Sequence, residues 1–232
     1  MRINPIQQNK NCLSSNFKGT VSPEATQFIK KCARAEAKNY VLYLQKGVKA
    51  DKQILLEVQK YWNDILNKLN EKAKQMHPDT ILDIRSKINC LGDICFNSFI
   101  FRNENLGTNL VKNNFSGSVF MTSNSKIGKD FRDYVYNIKP ETIDKEILER
   151  TIKNLECNLK NDNLSTYSTK YPAIIVYQNQ LKNITEEESK NNVIRLNKAI
   201  DDAKAKRAEK VRIEAIEQEN LELLDEIFGT DK

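Results

Sequence analysis

The chain has 232 residues, of which 39% are hydrophobic, and a net charge of +6, enough apolar material for one large or two small domains. No run approaches the roughly 18 apolar residues that a membrane span requires, and the start, MRINPIQQNKNC, lacks the continuous apolar segment of a secretory signal. Five scattered cysteines (Cys12, Cys32, Cys90, Cys95 and Cys157) are odd in number and few for the length, which points away from a disulfide framework and toward a reduced compartment.

The expectation is therefore a soluble protein, cytoplasmic by default, with export by a route that leaves no such signal as the open alternative. Residues 1–50 hold nine Lys and Arg against two acids, whereas residues 181–232 hold ten against thirteen. The basic excess thus sits at the front. Arginine, whose planar fork suits phosphate, numbers only nine beside 28 lysines and 27 asparagines, so compositional bias accounts for part of the charge.

Residues 1–21 are polar, contain Pro5 and one glycine, and show no sustained period, the pattern of a flexible or loosely packed lead. Ile3-Asn4-Pro5-Ile6, followed by Asn16-Phe17-Lys18-Gly19-Thr20, resembles the opening of many uncharacterised proteins predicted from gut-bacterial genomes. The resemblance implies a bacterial source and brings no activity with it. Phe17 either tucks against the body as an anchor or belongs to a docking peptide.

Ser22-Pro23-Glu24 reads as a helix start: a hydroxyl at the N-cap, proline at the first helical position and an acid in the positive first turn. Ala25, Phe28, Ile29, Cys32, Ala33, Tyr40, Tyr43 and Leu44 form its apolar stripe, Gly47 is a fitting stop, and Lys30, Lys31, Arg34 and Lys38 lie on the opposite side. A second helix begins near Asp51. Its stripe is the best in the chain: Leu55, Val58, Trp62, Ile65, Leu69, Ala73 and Met76 fall three or four apart before Pro78. The short connection predicts an antiparallel hairpin.

At Thr80 the period changes. Leu82, Ile84, Ile88 and Cys90 alternate as in a strand with one buried face, Leu91-Gly92-Asp93 is a turn, and Ile94 to Asn103 carries apolar residues on both parities, as a more central strand would. Asn103 to Asn114 reads as a polar loop. Val119, Phe120 and Met121 read as a strand that joins the same sheet, and Thr122 to Ser125 supply side chains that bond local backbone. Ile127, Phe131, Tyr134, Val135 and Ile138 then share one face of a helix.

Lys139-Pro140-Glu141 opens a helix carried by Ile143, Ile147, Leu148, Thr151, Ile152 and Leu155, which ends near residues 161–163. Pro172 to Tyr177 is a β-branched run that reads as one more strand. Thr185 to Glu188 is a capping box, with Thr185 as N-cap and Glu188 reaching back. From there a helix of about 60 Å runs to Phe228, too long to lie wholly against a small domain. Its seam breaks near Arg207 without a strict heptad, so packing on the first hairpin or on a partner is favoured over a dimeric coiled coil. Lys204, Lys206, Arg207, Lys210 and Arg212 precede Glu214, Glu217, Glu219, Glu222, Asp225 and Glu226, a polarity that opposes the helix dipole.

Chemistry-bearing motifs are sparse. His77 is the only histidine, which rules out a zinc site built from several imidazoles of one chain, and the spacing of Cys90 and Cys95 misses CxxC. A Cys–His pair of His77 with Cys90 or Cys95 is arithmetically possible, but a thiol in an apolar strand is more often inert packing. The loop Thr122–Lys126 fails the GxxxxGK[ST] pattern, since Asp130 follows Gly128-Lys129. A weaker anion site of Thr122, Ser123, Ser125, Lys126 and Lys129 at the helix start survives, against the plain alternative that these side chains cap the helix. Glu186 to Glu188 could bind a cation or simply complement the dipole. Lys30, Lys31, Arg34 and Lys38 could track nucleic-acid phosphates or an acidic surface, although no aromatic platform supports a nucleic-acid module.

The expected fold is α+β: an N-terminal helical hairpin, a small mixed or antiparallel sheet of three to four strands, and a long C-terminal helix. Residues 1–21 form the lead, 22–180 the body and 181–232 the terminal helix. The expected function is a non-enzymatic protein–protein interaction or structural role without cofactor or metal. The alternatives are binding of nucleic acid or an acidic surface through the first helix, and an anion or phosphate-ligand site at residues 122–129.

Overall fold

A computed structural model of the chain describes residues 18–44, 48–88, 94–112, 121–161, 165 and 167–228. The elements are β1 (Thr20–Val21), α1 (Pro23–Leu42), α2 (Lys52–Ala73), β2 (Thr80–Ile88) and β3 (Ile94–Asn103), then β4 (Thr108–Lys112), α3 (Lys126–Asn137), α4 (Pro140–Lys160), α5 (Tyr167–Gln180) and α6 (Glu186–Phe228). The fold is α+β. Its four-stranded mixed sheet has the order β1-β2-β3-β4, with β1 parallel to β2 and β4 antiparallel to β3. The chain divides into two compact units, residues 1–97 with 115–138 and residues 98–114 with 139–232.

In the first unit α1 starts where its capping residues dictate. Ser22 Oγ accepts the Ala25 N–H at 3.0 Å and donates to Asp83 Oδ1 at 2.6 Å, while Ser22 N–H reaches Leu82 O at 2.8 Å. One serine thus caps the helix and ties it to β2. Asp51 caps α2 through Gln53 N–H at 2.8 Å, and its own N–H bonds Tyr40 Oη at 3.2 Å, which closes the hairpin. α1 and α2 pack together. Val58, Trp62, Ile65, Leu69, Ala73 and Met76 are all buried. Phe28 and Phe96 meet Phe131 at centroid distances of 6.2 and 4.9 Å, and Trp62 stands 6.4 Å from Phe131. Such tilted and edge-to-face rings add to the area they bury.

In the second unit α4 packs against β4, α5 and α6. Ile147, Leu148, Ile152 and Leu155 of α4 are buried, as are Leu196, Ile200 and Ala203 of α6. Two polar pairs lie in this core: the hydroxyls of Thr108 and Thr151 lie 2.7 Å apart, and Tyr177 Oη donates to Asp144 Oδ1 at 3.2 Å. The capping box of α6 forms as the sequence predicts, with Thr185 N–H on Glu188 Oε2 at 3.0 Å and Glu188 N–H on Thr185 Oγ1 at 3.1 Å.

Two stretches depart from the sequence reading. Pro172–Tyr177, read as a strand, lies within α5. The β-branched preference is weak, whereas Ile174, Tyr177, Gln178 and Leu181 recur at helical spacing and are all buried, and α5 packs on α4 and α6. Pro172 and Ser168 are exposed, so the carbonyl that loses its intrahelical donor to Pro172 is on a solvated residue. The polar stretch 103–114 contains β4. Asn103 Oδ1 accepts the Leu106 N–H at 2.9 Å, Gly107 takes φ 60° and its N–H bonds Glu104 O at 3.0 Å. This turn returns the chain antiparallel, and Thr108 and Leu110 face inward from it.

Thr20 and Val21, read as the end of the lead, pair with Ile81 and Leu82 instead. The rest of the lead through Phe17, the stop Gly47, the Leu91–Asp93 turn and the Val119–Phe120 strand lie outside the described residues; Met121 is buried and not in a strand. No helix among the described residues is long and apolar enough to cross a membrane.

Candidate interaction surfaces

The start of α3 is built from short polar side chains in a tight loop. Ser125 Oγ accepts the N–H groups of Gly128 and Thr122, each at 3.0 Å, and donates to Thr122 O at 2.8 Å. Gly128 is required here: a Cβ at that position would lie 1.9 Å from Thr122 O. Ser123 turns its amide to Glu36 Oε2 at 2.9 Å and its hydroxyl to Glu36 Oε1. The Trp62 indole N–H donates to the same carboxylate at 2.8 Å.

Glu36 is only 8% exposed, so these three donors replace the water it gives up. An anion is thus already seated beside the start of α3, and it is the chain's own. Lys126 and Lys129 are exposed. Cys32, one turn before Glu36 on α1, is pushed up to about 12 by burial and then by the charge of Glu36, so its thiol is inert near neutral pH.

Neither Glu36 nor Trp62 stood out as functional in the sequence. The available signal was position: Glu36 falls four residues after Cys32, in the apolar stripe of an otherwise basic helix. A carboxylate there has to find donors, but the sequence does not say which.

Lys30, Lys31, Arg34 and Lys38 are all exposed. Lys30 and Arg34 stand at the rim of a groove of about 540 Å³ between α1 and α2, over Ile29, Ala33, Val58 and Trp62, while Lys31 and Lys38 are not part of its lining. His77 is buried and accepts the Asp79 N–H at Nδ1, 3.2 Å away. The side chains of Cys90 and Cys95 are outside the described residues, and so is any pairing of them with His77. Glu188 is engaged by Thr185 and by Lys145 Nζ at 2.6 Å. These partners hold its carboxyl below the usual range, Lys145 foremost. Among the described residues no group of His, Cys, Asp and Glu is arranged to hold a metal ion.

The remaining surface is α6 itself. Its first half is buried at Leu196, Ile200 and Ala203. From Lys204 to Glu219 every residue is exposed, including Val211 at 58%, Ile213 at 47% and Ile216 at 46%. Among the described residues Lys210 and Arg212 meet only acids of their own helix, Glu214 at 3.9 Å and Glu209 at 3.8 Å, separations at which exposed pairs contribute little. No known family model, no curated protein and no solved structure matches this chain.

Proposed function

We propose that this chain is a non-enzymatic interaction protein whose docking element for a protein partner is the distal half of α6. The observation that carries the reading is the uninterrupted exposure of Lys204–Glu219 on a helix that is anchored at its other end. An isolated helix in water is marginal, and most helical stability in proteins comes from packing an apolar face. Here Ile213 and Ile216, which share a face, have no cover among the described residues, and a protein surface laid along them supplies it.

Deleting residues 205–232 tests this reading. The shortened chain keeps the melting transition of the full chain, because Leu196, Ile200 and Ala203 are retained, but loses a bound protein in quantitative affinity capture. An unchanged set of captured proteins overturns the reading. A second reading, recognition of nucleic acid or another acidic surface through α1, draws support from the groove edged by Lys30 and Arg34. It requires affinity for a polyanion that falls with salt and drops on charge reversal at Lys30, Arg34 and Lys38.

A further inference from the structure

The distal half of α6 carries its charge in two blocks, Lys204, Lys206, Arg207, Lys210 and Arg212, interrupted by Glu209, and then Glu214, Glu217, Glu219 and Glu222, and all ten residues are exposed. A helix so ordered has acids near its negative C-terminal end, which is unfavourable in isolation. It is also self-complementary: turned end for end, the same segment offers acids where the first offers bases. We infer that the protein partner of this segment is a second copy of the chain, bound antiparallel about a two-fold axis between Glu214 and Ala215. This rests on the docking role proposed for α6.

The register follows from the exposed residues. An axis at that point sets Ile213 of each copy at the level of Ile216 of the other, so the two exposed isoleucines close on each other. The same register sets Arg212 level with Glu217, Lys210 with Glu219, and Arg207 with Glu222 of the second copy. With Ile213 and Ile216 as the a and d residues of a coiled-coil seam, Lys210 and Glu217 both take e positions, and Arg212 and Glu219 both take g positions. Antiparallel helices juxtapose e with e and g with g, so Lys210 meets Glu217 and Arg212 meets Glu219 on both sides of the axis. A parallel pair would instead lay basic block beside basic block and acidic beside acidic. An isologous contact repeats each interaction twice, so a patch that is weak in one copy becomes four cross-pairs in the dimer. The apolar seam among the described residues is short. Charge therefore carries much of the attraction, and the association is salt-sensitive.

The full chain is examined by sedimentation velocity over a range of concentrations. The expected result is a monomer–dimer equilibrium that weakens about tenfold between low and high salt. The double variants K210E/R212E and E217K/E219K are each monomeric, and mixing them restores a dimer in which every cross-pair is again opposite in sign. Because all four positions are exposed, the variants keep the circular dichroism and melting of the parent. Amine–carboxyl cross-linking of mixed isotopically light and heavy copies joins Lys210 of one copy to Glu217 or Glu219 of the other.

A full chain that stays monomeric at every concentration overturns the proposal, as does a dimer that survives both charge reversals. The fate of the broader reading is read separately. A monomeric chain that still loses a captured protein on deletion of residues 205–232 removes self-association alone. If the captured set is also unchanged, both are removed.

Discussion

α2 and the distal half of α6 are both helical and lie in opposite environments. Val58, Trp62, Ile65 and Leu69 of α2 are at most 8% exposed, whereas Val211, Ile213 and Ile216 of α6 are 46% exposed or more. The difference lies in the neighbours. α2 has α1 along one side and α3 along another, so its apolar stripe becomes core and even a carboxylate, Glu36, is drawn in and supplied with donors. From Lys204 to Glu219 the side chains of α6 keep their water. An apolar side chain on a helix is therefore only available for burial, and whether it is buried depends on what the fold places opposite it.

The contrast is sharpest in chemistry. With Cys32 moved from 9.0 to about 12, its thiolate fraction at pH 8 falls about a thousandfold, so iodoacetamide labels exposed Cys157 and spares Cys32 in the native protein. Mass spectrometry of the labelled peptides checks this, and equal labelling would break the comparison. The same displacement carries a stability consequence with a definite sign. The folded state binds the Cys32 proton more tightly than the unfolded state, so the contribution is fully present below about pH 9 and is lost as pH rises toward 12.

Next in size is Glu36→Ala, which strands the Trp62 indole and both donors of Ser123. A loss of about 4 kcal/mol in urea unfolding is expected. Gly128→Ala drives a Cβ into Thr122 O and is expected to cost about 3 kcal/mol, with the loop before α3 displaced. Thr185→Ala removes the α6 cap and lowers stability by about 1 kcal/mol. At the far end of the scale, Ile213→Ala and Ile216→Ala change the stability of the fold by less than about 0.5 kcal/mol while weakening self-association. Should either isoleucine prove as costly to folding as Glu36, the distal half of α6 would be covered within the chain and the contrast with α2 would collapse.

Much of this architecture is readable from local chemistry. Ser22-Pro23-Glu24, Asp51, Ser125 and Thr185 announce four helix starts because a cap is a contract between residues three apart or fewer. The stripe of α2 and the alternation of Leu82 and Ile84 are equally local. What escaped the sequence reading depended on distant partners. Residues 172–177 have strand propensity and become helix because α4 and α6 offer a surface suited to Ile174, Tyr177 and Leu181. Polar Thr108 is buried in β4 because Thr151, 43 positions away, supplies a hydroxyl. The loop at residues 122–125 looked ready for an anion, and the residue that occupies Ser123 lies 87 positions earlier.

By itself the sequence determined where the helices begin, which face of each is apolar, the four-residue capping box and the charge polarity of α6, since each is decided by neighbours within a turn or two. Tertiary structure alone decided which of those faces are covered. It turned the basic helix α1 into the donor of a buried carboxylate, made α5 a helix, and left Lys204–Glu219 of α6 exposed, because burial is a property of two surfaces and the sequence describes only one of them at a time.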